Sequence, residues 1–284
     1  MFLSFQKISQ ALRGVSAVVT DAYFNLVTLL LPGNGTNGAQ NNTFLDSSTN
    51  NFTITRNGNT TQGTFTPFSQ TGWGNYFDGN SSYITATSNA AYQFGTGNFT
   101  IEFWIFHSTP STSTAYPKIF QYADDGNYTN GYGAVFVTSS TTINYSGPGS
   151  TYTLAGTVAA NSWNHVAIVR NSSTTTLYIN GTSASSNADS LNYNYAGTYP
   201  FAIGSGRNAA GNYTAALTGY ISNFRVVKGT AVYTSNFTPP TSPLTAISGT
   251  SLLTCQSNRF LDNSSNAFAI TANGSPSEIG RAHV

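Results

Sequence analysis

From Asp21 to about residue 275 the chain alternates short apolar runs with clusters of Gly, Asn, Ser and Pro, spaced about ten residues apart. The runs richest in Val, Ile, Phe, Tyr and Thr predict strands at Asn51–Thr55, Tyr83–Ala86, Phe99–Phe106, Gly133–Thr138 and Thr141–Tyr145. Others follow at Trp163–Arg170, Thr175–Ile179, Phe201–Ile203 and Gly219–Val226. In Phe99–Phe106, alternation puts Phe99, Ile101, Phe103 and Ile105 on one face and Thr100, Glu102, Trp104 and Phe106 on the other. Neither face is wet, which predicts a central strand covered on both sides. Asn180-Gly181 tolerates the positive φ angles of a tight hairpin turn, so Thr175–Ile179 is expected to fold back on the strand after it. No segment between residues 21 and 275 keeps a helical period, and the fold class is all-β. Before it, Phe5, Ile8, Leu12 and Val15 predict one short amphipathic helix in an N-terminal segment 1–20, either loosely held or a docking arm.

One pattern is longer than any strand. Phe44–Gly58 reads FLDSSTNNFTITRNG, and 216 residues on Phe260–Gly274 reads FLDNSSNAFAITANG. A leucine run precedes each copy, Leu29-Leu30-Leu31 and Leu252-Leu253. Two explanations stay open: both copies are edge pieces of one sandwich, or the second copy begins a further repeat. The period suits whole domains better than shorter solenoid units. Residues 276–284 break the style of the chain and resemble a translated sequencing adapter, so Glu278–Val284 are set aside from fold reasoning and the natural protein is expected to continue. The domain expectation is then a single unit at 21–275 with its core at 70–240.

Composition narrows the function classes. Apolar residues are 39% and aromatics 14%, enough for a packed core, while charged residues are only 7%. The polar surface must come from Asn, Ser, Thr, Gly and Tyr, the chemistry of a virion or extracellular surface. Net charge is +1 with no basic stripe, which argues against nucleic acid as partner. The single cysteine, Cys255, excludes an intrachain disulfide and a cysteine zinc knuckle, and no run is long enough to span a bilayer as a helix.

Several fragments taken in order carry a resemblance: Tyr76-Phe77-Asp78-Gly79, Phe99–Trp104, Trp163–Ala167, Leu177–Gly181, Ile203-Gly204 and Gly219–Val226. Over about residues 70 to 240 they resemble the laminin-G-like members of the concanavalin A-like lectin/glucanase superfamily. The resemblance implies a two-sheet antiparallel jelly-roll sandwich. Arg225–Pro240 and the segment from Leu29 to Ser48 look like the variety found in structural proteins of aquatic tailed phages and environmental viruses. Trp104 and Trp163 are expected in the core, Asp78-Gly79 in a turn, and His165 as a satisfied structural histidine.

Because the superfamily includes glucanases, hydrolysis has to be tested. Retaining glycosidases need two carboxylates about 5 Å apart. Glu102 is the one glutamate before the set-aside tail, and its strand offers Trp104 and Phe106 where a second acid is required. The chain is therefore expected not to be an enzyme. Calcium is the candidate cofactor, since laminin-G-like domains often hold it at the sandwich rim with hard oxygen ligands. Asp124, Asp125 and Asn127 are the candidate ligands, with an ordinary Asp-Gly turn as the alternative. The loop Gly204–Tyr213 offers Asn208 and Asn212 but no acid, which weakens the metal case. For glycans, loops must present flat rings beside amides and hydroxyls. Tyr122, Asn127, Tyr128 and Tyr132 form one candidate cluster, and Tyr193, Tyr195, Asn208, Asn212 and Tyr213 the other. With 17 tyrosines, some fall in every loop regardless. The reading is a non-catalytic module of a viral particle or tail fibre that binds a host-surface glycan or neighbouring virion subunits, with no membrane span and able to form a homo-oligomer. The alternatives are a bacterial adhesin and a purely architectural virion subunit.

Overall fold

Alternation along each run decides which side chains can meet, because successive strand residues point to opposite faces. In the computed structural model this produces two antiparallel sheets packed through their apolar faces. The structure describes residues 22–31, 45–55, 65–68, 73–107, 116–122, 132–136, 141–194, 200–207, 212–257 and 259–279. They fall into two compact units, one containing residues 22–31 and 45–55 and the other the rest.

The larger unit is the sandwich. Its first sheet runs β10 (Thr182–Ala188), β9 (Thr174–Ile179), β8 (Trp163–Asn171), β3 (Phe99–Phe106), β14 (Thr218–Lys228), β1 (Gly74–Asp78) and β17 (Ser277–Ile279). Strand β15 (Thr250–Thr254) also pairs with β14. The second sheet runs β16 (Ile270–Asn273), β2 (Tyr83–Ala86), β11 (Phe201–Ile203), β4 (Lys118–Tyr122), β5 (Tyr132–Phe136), β6 (Thr142–Ser146) and β7 (Thr153–Thr157). A two-stranded hairpin, β12 (Gly206–Arg207) with β13 (Tyr213–Thr214), completes the strands.

Between the sheets the core is aromatic. Phe103 stacks on Phe224 at 5.3 Å, Phe120 on Phe201 at 5.7 Å, and Phe103 meets Phe120 edge-on at 6.0 Å across the two sheets. Phe99, Ile101, Phe103 and Ile105 are fully buried on the face the alternation assigns to the core. The opposite face of β3 is covered as well, by the chain after β14. Tyr233 and Phe237, stacked at 3.6 Å, pack on Ala167, Val169 and Tyr178. The Thr100 hydroxyl donates to Thr230 O and accepts from Val232 N, which fixes the start of this strap. The central strand is thus wrapped on both sides. Trp104 and Trp163 are half-buried on this outer layer rather than in the central core, where they meet Phe68 and Phe65.

Turns follow their local chemistry. Asn180 and Gly181 take φ of 49° and 78°, and β9 folds back onto β10. Asp78 Oδ1 accepts from the amides of Asn80, Ser81 and Ser82 and turns β1 into β2 around Gly79. The segment Asn51–Thr55 departs from expectation: it makes one isolated bridge, Thr53 to Leu45, and no strand. Ser277–Ile279, partly set aside on sequence grounds, pairs with Gly74–Tyr76. The helix expected at residues 4–16 lies outside the described residues.

The second copy of the repeat contributes to both sheets of the sandwich. Leu252 and Leu253 sit in β15 beside β14, and Ile270 begins β16 beside β2 in the opposite sheet. Asp262 ties the two ends together. It accepts from Leu253 N at 3.0 Å, Ser264 N at 2.9 Å, the Ser264 hydroxyl at 2.8 Å and Phe268 N at 3.0 Å.

The smaller unit holds the first copy, whose Asp46 accepts from the amides of Leu30, Ser48 and Phe52 and from the Ser48 hydroxyl. Desolvation pushes this carboxyl up, but those four donors outweigh it and hold it down at about 2, below the ordinary 3.8. A depressed carboxylate stabilises its fold above the unfolded value and loses that contribution as pH falls through the folded one. The amide resonances of Leu30 and Phe52 are therefore expected to titrate together with a midpoint near 2. A midpoint at 3.8 would mean that the turn is not formed in solution.

Candidate binding groove on the second sheet

The outer face of the second sheet is polar because the same alternation that buries one side of each strand exposes the other. In β6, Ile143 and Tyr145 point into the core while Thr142, Asn144 and Ser146 are half-buried on the far side. In β5, Tyr132, Ala134 and Phe136 point in, leaving Gly133 and Val135 outside. Lys118 and Gln121 of β4 and Thr153 of β7 extend this face. Together they line a cavity of about 450 Å³, with Tyr116 and Ser150 at its margins. That volume lies in the range of about 300–1,000 Å³ usual for small-molecule sites.

The walls have clear causes. At Gly133 a Cβ would strike the Phe120 carbonyl oxygen, so the absent side chain leaves the floor open between β4 and β6. The β12–β13 hairpin packs beside the lining residues Lys118 and Gln121 of β4. Gly206 approaches the Gln121 side chain so closely that no Cβ fits, and the Lys118 amide donates to Ala215 O at 2.7 Å. Tyr116 is 58% exposed. Chemically the groove supplies one cation, two side-chain amides, several hydroxyls and an exposed ring.

Of the singled-out residues that are described, Tyr132 lines it and Tyr122, Tyr193, Asn212 and Tyr213 do not. Tyr122 is buried in β4, its hydroxyl donating to Asn89 O at 3.3 Å. Tyr132 contributes to the groove wall, but its ring is buried and its hydroxyl donates to Tyr92 O. Tyr193 is fully buried in a network with Asp189. Asp189 Oδ2 accepts from Tyr193, Tyr152 and Thr175, while Arg170 Nη2 donates to Asp189 O at 2.7 Å. These three tyrosines are corrected from exposed rim rings to buried ones: strand pairing turns Tyr122 and Tyr132 inward and Asp189 holds the Tyr193 hydroxyl, although their flanking sequences look like loops. Tyr213 is half-buried, stacked on Tyr83 at 4.2 Å with the Arg207 guanidinium 5.8 Å from its ring. Asn212 beside it is exposed. Asp124, Asp125, Asn127, Tyr128, Tyr195 and Asn208 lie outside the described residues. Among the described residues no three His, Cys, Asp or Glu side chains come together as a metal site. Sequence reasoning missed Lys118, Gln121, Asn144 and Ser146, although the period-2 alternation of TINYS already assigns Asn144 and Ser146 to one face.

Glu102, the acid weighed for hydrolysis, is fully buried on the opposite sheet. Its Oε1 accepts from Arg225 Nε at 2.9 Å and Nη2 at 2.6 Å; its Oε2 accepts from the Tyr233 hydroxyl at 2.8 Å and lies 3.1 Å from His165 Nε2. Burial pushes this carboxyl up, but His165 and Arg225 reverse the shift and hold it below the ordinary glutamate value. Both oxygens are committed to clamping the strap.

A family model described as the concanavalin A-like lectin/glucanases superfamily matches residues 78–232. Among solved structures, a Bacteroides ovatus protein put forward as carbohydrate binding is 17% identical with a TM-score of 0.57, the alignment covering 84% of this chain and 67% of that one. A heptameric SAP-like pentraxin from Limulus polyphemus is 15% identical with a TM-score of 0.50, covering 75% of this chain and 96% of that one. At these identities the likeness is one of fold. A search of curated protein sequences gave no match. With the family model spanning more than half of its length, this chain belongs to the concanavalin A-like lectin/glucanases superfamily.

Proposed function

We propose that the chain is a non-catalytic carbohydrate-binding module whose glycan lies in the groove on the second sheet. The observation that carries this reading is the groove's donor set: Lys118, Gln121, Asn144 and Ser146 beside the exposed Tyr116 ring. Amides and hydroxyls match sugar hydroxyls in both donor and acceptor roles, and an exposed ring covers the C–H face of a pyranose. The Bacteroides ovatus protein of similar fold adds support. Among the described residues no carboxylate lines the groove, which supports binding without hydrolysis. The low charge content of 7% supports display on a virion or extracellular surface, as on a tail fibre.

The test is a glycan array probed with the full chain, followed by calorimetry on any hit. Replacing Asn144 by Ala removes one hydrogen-bonding side chain, worth about 0.5–1.5 kcal/mol, so affinity should fall roughly three- to tenfold. Tyr116→Ala should weaken the same ligand. Chelation with EGTA should leave binding unchanged, because the described groove residues include no carboxylate to hold calcium. Binding lost with Tyr213→Ala and kept with Asn144→Ala would move the site to the β12–β13 hairpin.

A further inference from the structure

The described parts of the two copies share the hydrogen bonds around their aspartates. Asp46 and Asp262 accept from matching donors, as given above. Ser47 N donates to Leu30 O at 2.8 Å, as Asn263 N does to Leu253 O at 2.7 Å. Asn50 Nδ2 donates to Thr28 O at 2.9 Å, as Asn266 Nδ2 does to Ser251 O at 3.0 Å. Even the left-handed residue is kept, Asn51 and Ala267 both at φ 47°.

Their surroundings differ. In the second copy Leu252 and Leu253 are buried against β14, and Phe268 packs 5.6 Å from the Tyr92 ring. In the first copy the matching Leu29, Leu30 and Phe52 are 49%, 37% and 52% exposed. A preformed turn that displays three large apolar side chains in one arrangement is a docking element lacking its counterpart. The structure also shows what that counterpart is, since the second copy rests on it: the edge made by β14 and β2 with Tyr92.

We propose that residues 28–31 and 45–54 are a docking clasp for this edge on a second copy of the chain. The first clasp of one molecule then takes the place that the second clasp holds in another, adding a strand to β14 and one to β2. Such a contact joins two different surfaces, so it propagates head to tail instead of closing on itself.

In the full chain, Asp262→Ala releases the second clasp and frees the edge. Light scattering behind size exclusion should then show association into dimers and longer species. Adding Leu30→Asp and Phe52→Asp should return the protein to a monomer with the melting temperature of the Asp262→Ala chain. A monomeric Asp262→Ala chain would overturn the proposal, as would association that survives the two added aspartates. A second full-length variant guards against loss of the fold. Asn263→Ser, Ser265→Thr, Ala267→Asn and Ala269→Thr write the first clasp's residues 44–54 into positions 260–270 at equal length. This chain should keep the parent melting temperature. A loss like that of Asp262→Ala would show that the clasps are not interchangeable and would equally overturn the proposal.

Discussion

Replacing Glu102 by alanine is expected to destabilise the sandwich by about 3–5 kcal/mol, a drop in melting temperature of roughly 10 °C. The substitution leaves the Arg225 guanidinium, 5% exposed, without its carboxylate, and removes the acceptor of the Tyr233 hydroxyl. A buried charge stripped of its partner costs far more than the net worth of the pair. The loss is not confined to one strand. Arg225 Nη1 also donates to Thr245 O at 2.7 Å, so the ion pair holds the strap near both of its ends. Limited proteolysis should accordingly cut between residues 229 and 248 first. The sign of the pH dependence follows from the depressed carboxyl. Its contribution is present above the ordinary glutamate range and is lost as pH falls through the lower folded value. A Glu102→Gln chain, which cannot ionise there, should therefore show a flatter acid limb in a plot of stability against pH. Equal acid limbs in the two chains would show that this carboxylate contributes no linkage.

Asp189→Ala should cost a similar amount, about 3–5 kcal/mol, through a second buried network at the far side of the first sheet. Asp189 is 1% exposed and gathers three hydroxyls, from Thr175 at 2.6 Å, Tyr193 at 2.8 Å and Tyr152 at 2.9 Å. Arg170, also 1% exposed, lies 3.7 Å from the same carboxylate and is otherwise held by backbone carbonyls, those of Gly95 at 3.2 Å and Leu191 at 2.8 Å. Alanine would strand a cation and three hydroxyls together, whereas Asp189→Asn keeps most of the geometry and should cost less. Chemical denaturation of both variants checks the order. If asparagine proves as damaging as alanine, the negative charge and not the hydrogen-bond geometry is what the network requires.

The candidate site was legible only in part. The flanks of Tyr122, Tyr132 and Tyr193 are rich in Gly, Asn and Ser, as binding loops are, yet their rings are buried. Tyr132 sits in a strand whose partners, β4 and β6, set its inward face, and Tyr193 is drawn in by Asp189. Strand β4 escaped notice because KIFQY shows no alternation: all five residues are buried, Lys118 and Gln121 included. A register shift between Lys118 and Phe120 breaks its simple period, and its other neighbour, β11, is some eighty residues away. Lys118, Phe120 and Gln121 of that strand line the groove.

What the sequence determined by itself is whatever short-range periodicity and turn chemistry dictate. Two apolar faces on Phe99–Phe106 required a covered central strand, and Asn180-Gly181 required a hairpin. The family resemblance carried the sandwich. Only the tertiary structure decided where the polar faces converge, that Glu102 is a clamp, and that one copy of the repeat is covered while its twin is exposed. The reason is physical: a strand's own pattern fixes which residues share a face, but what lies opposite that face depends on partners brought from anywhere along the chain.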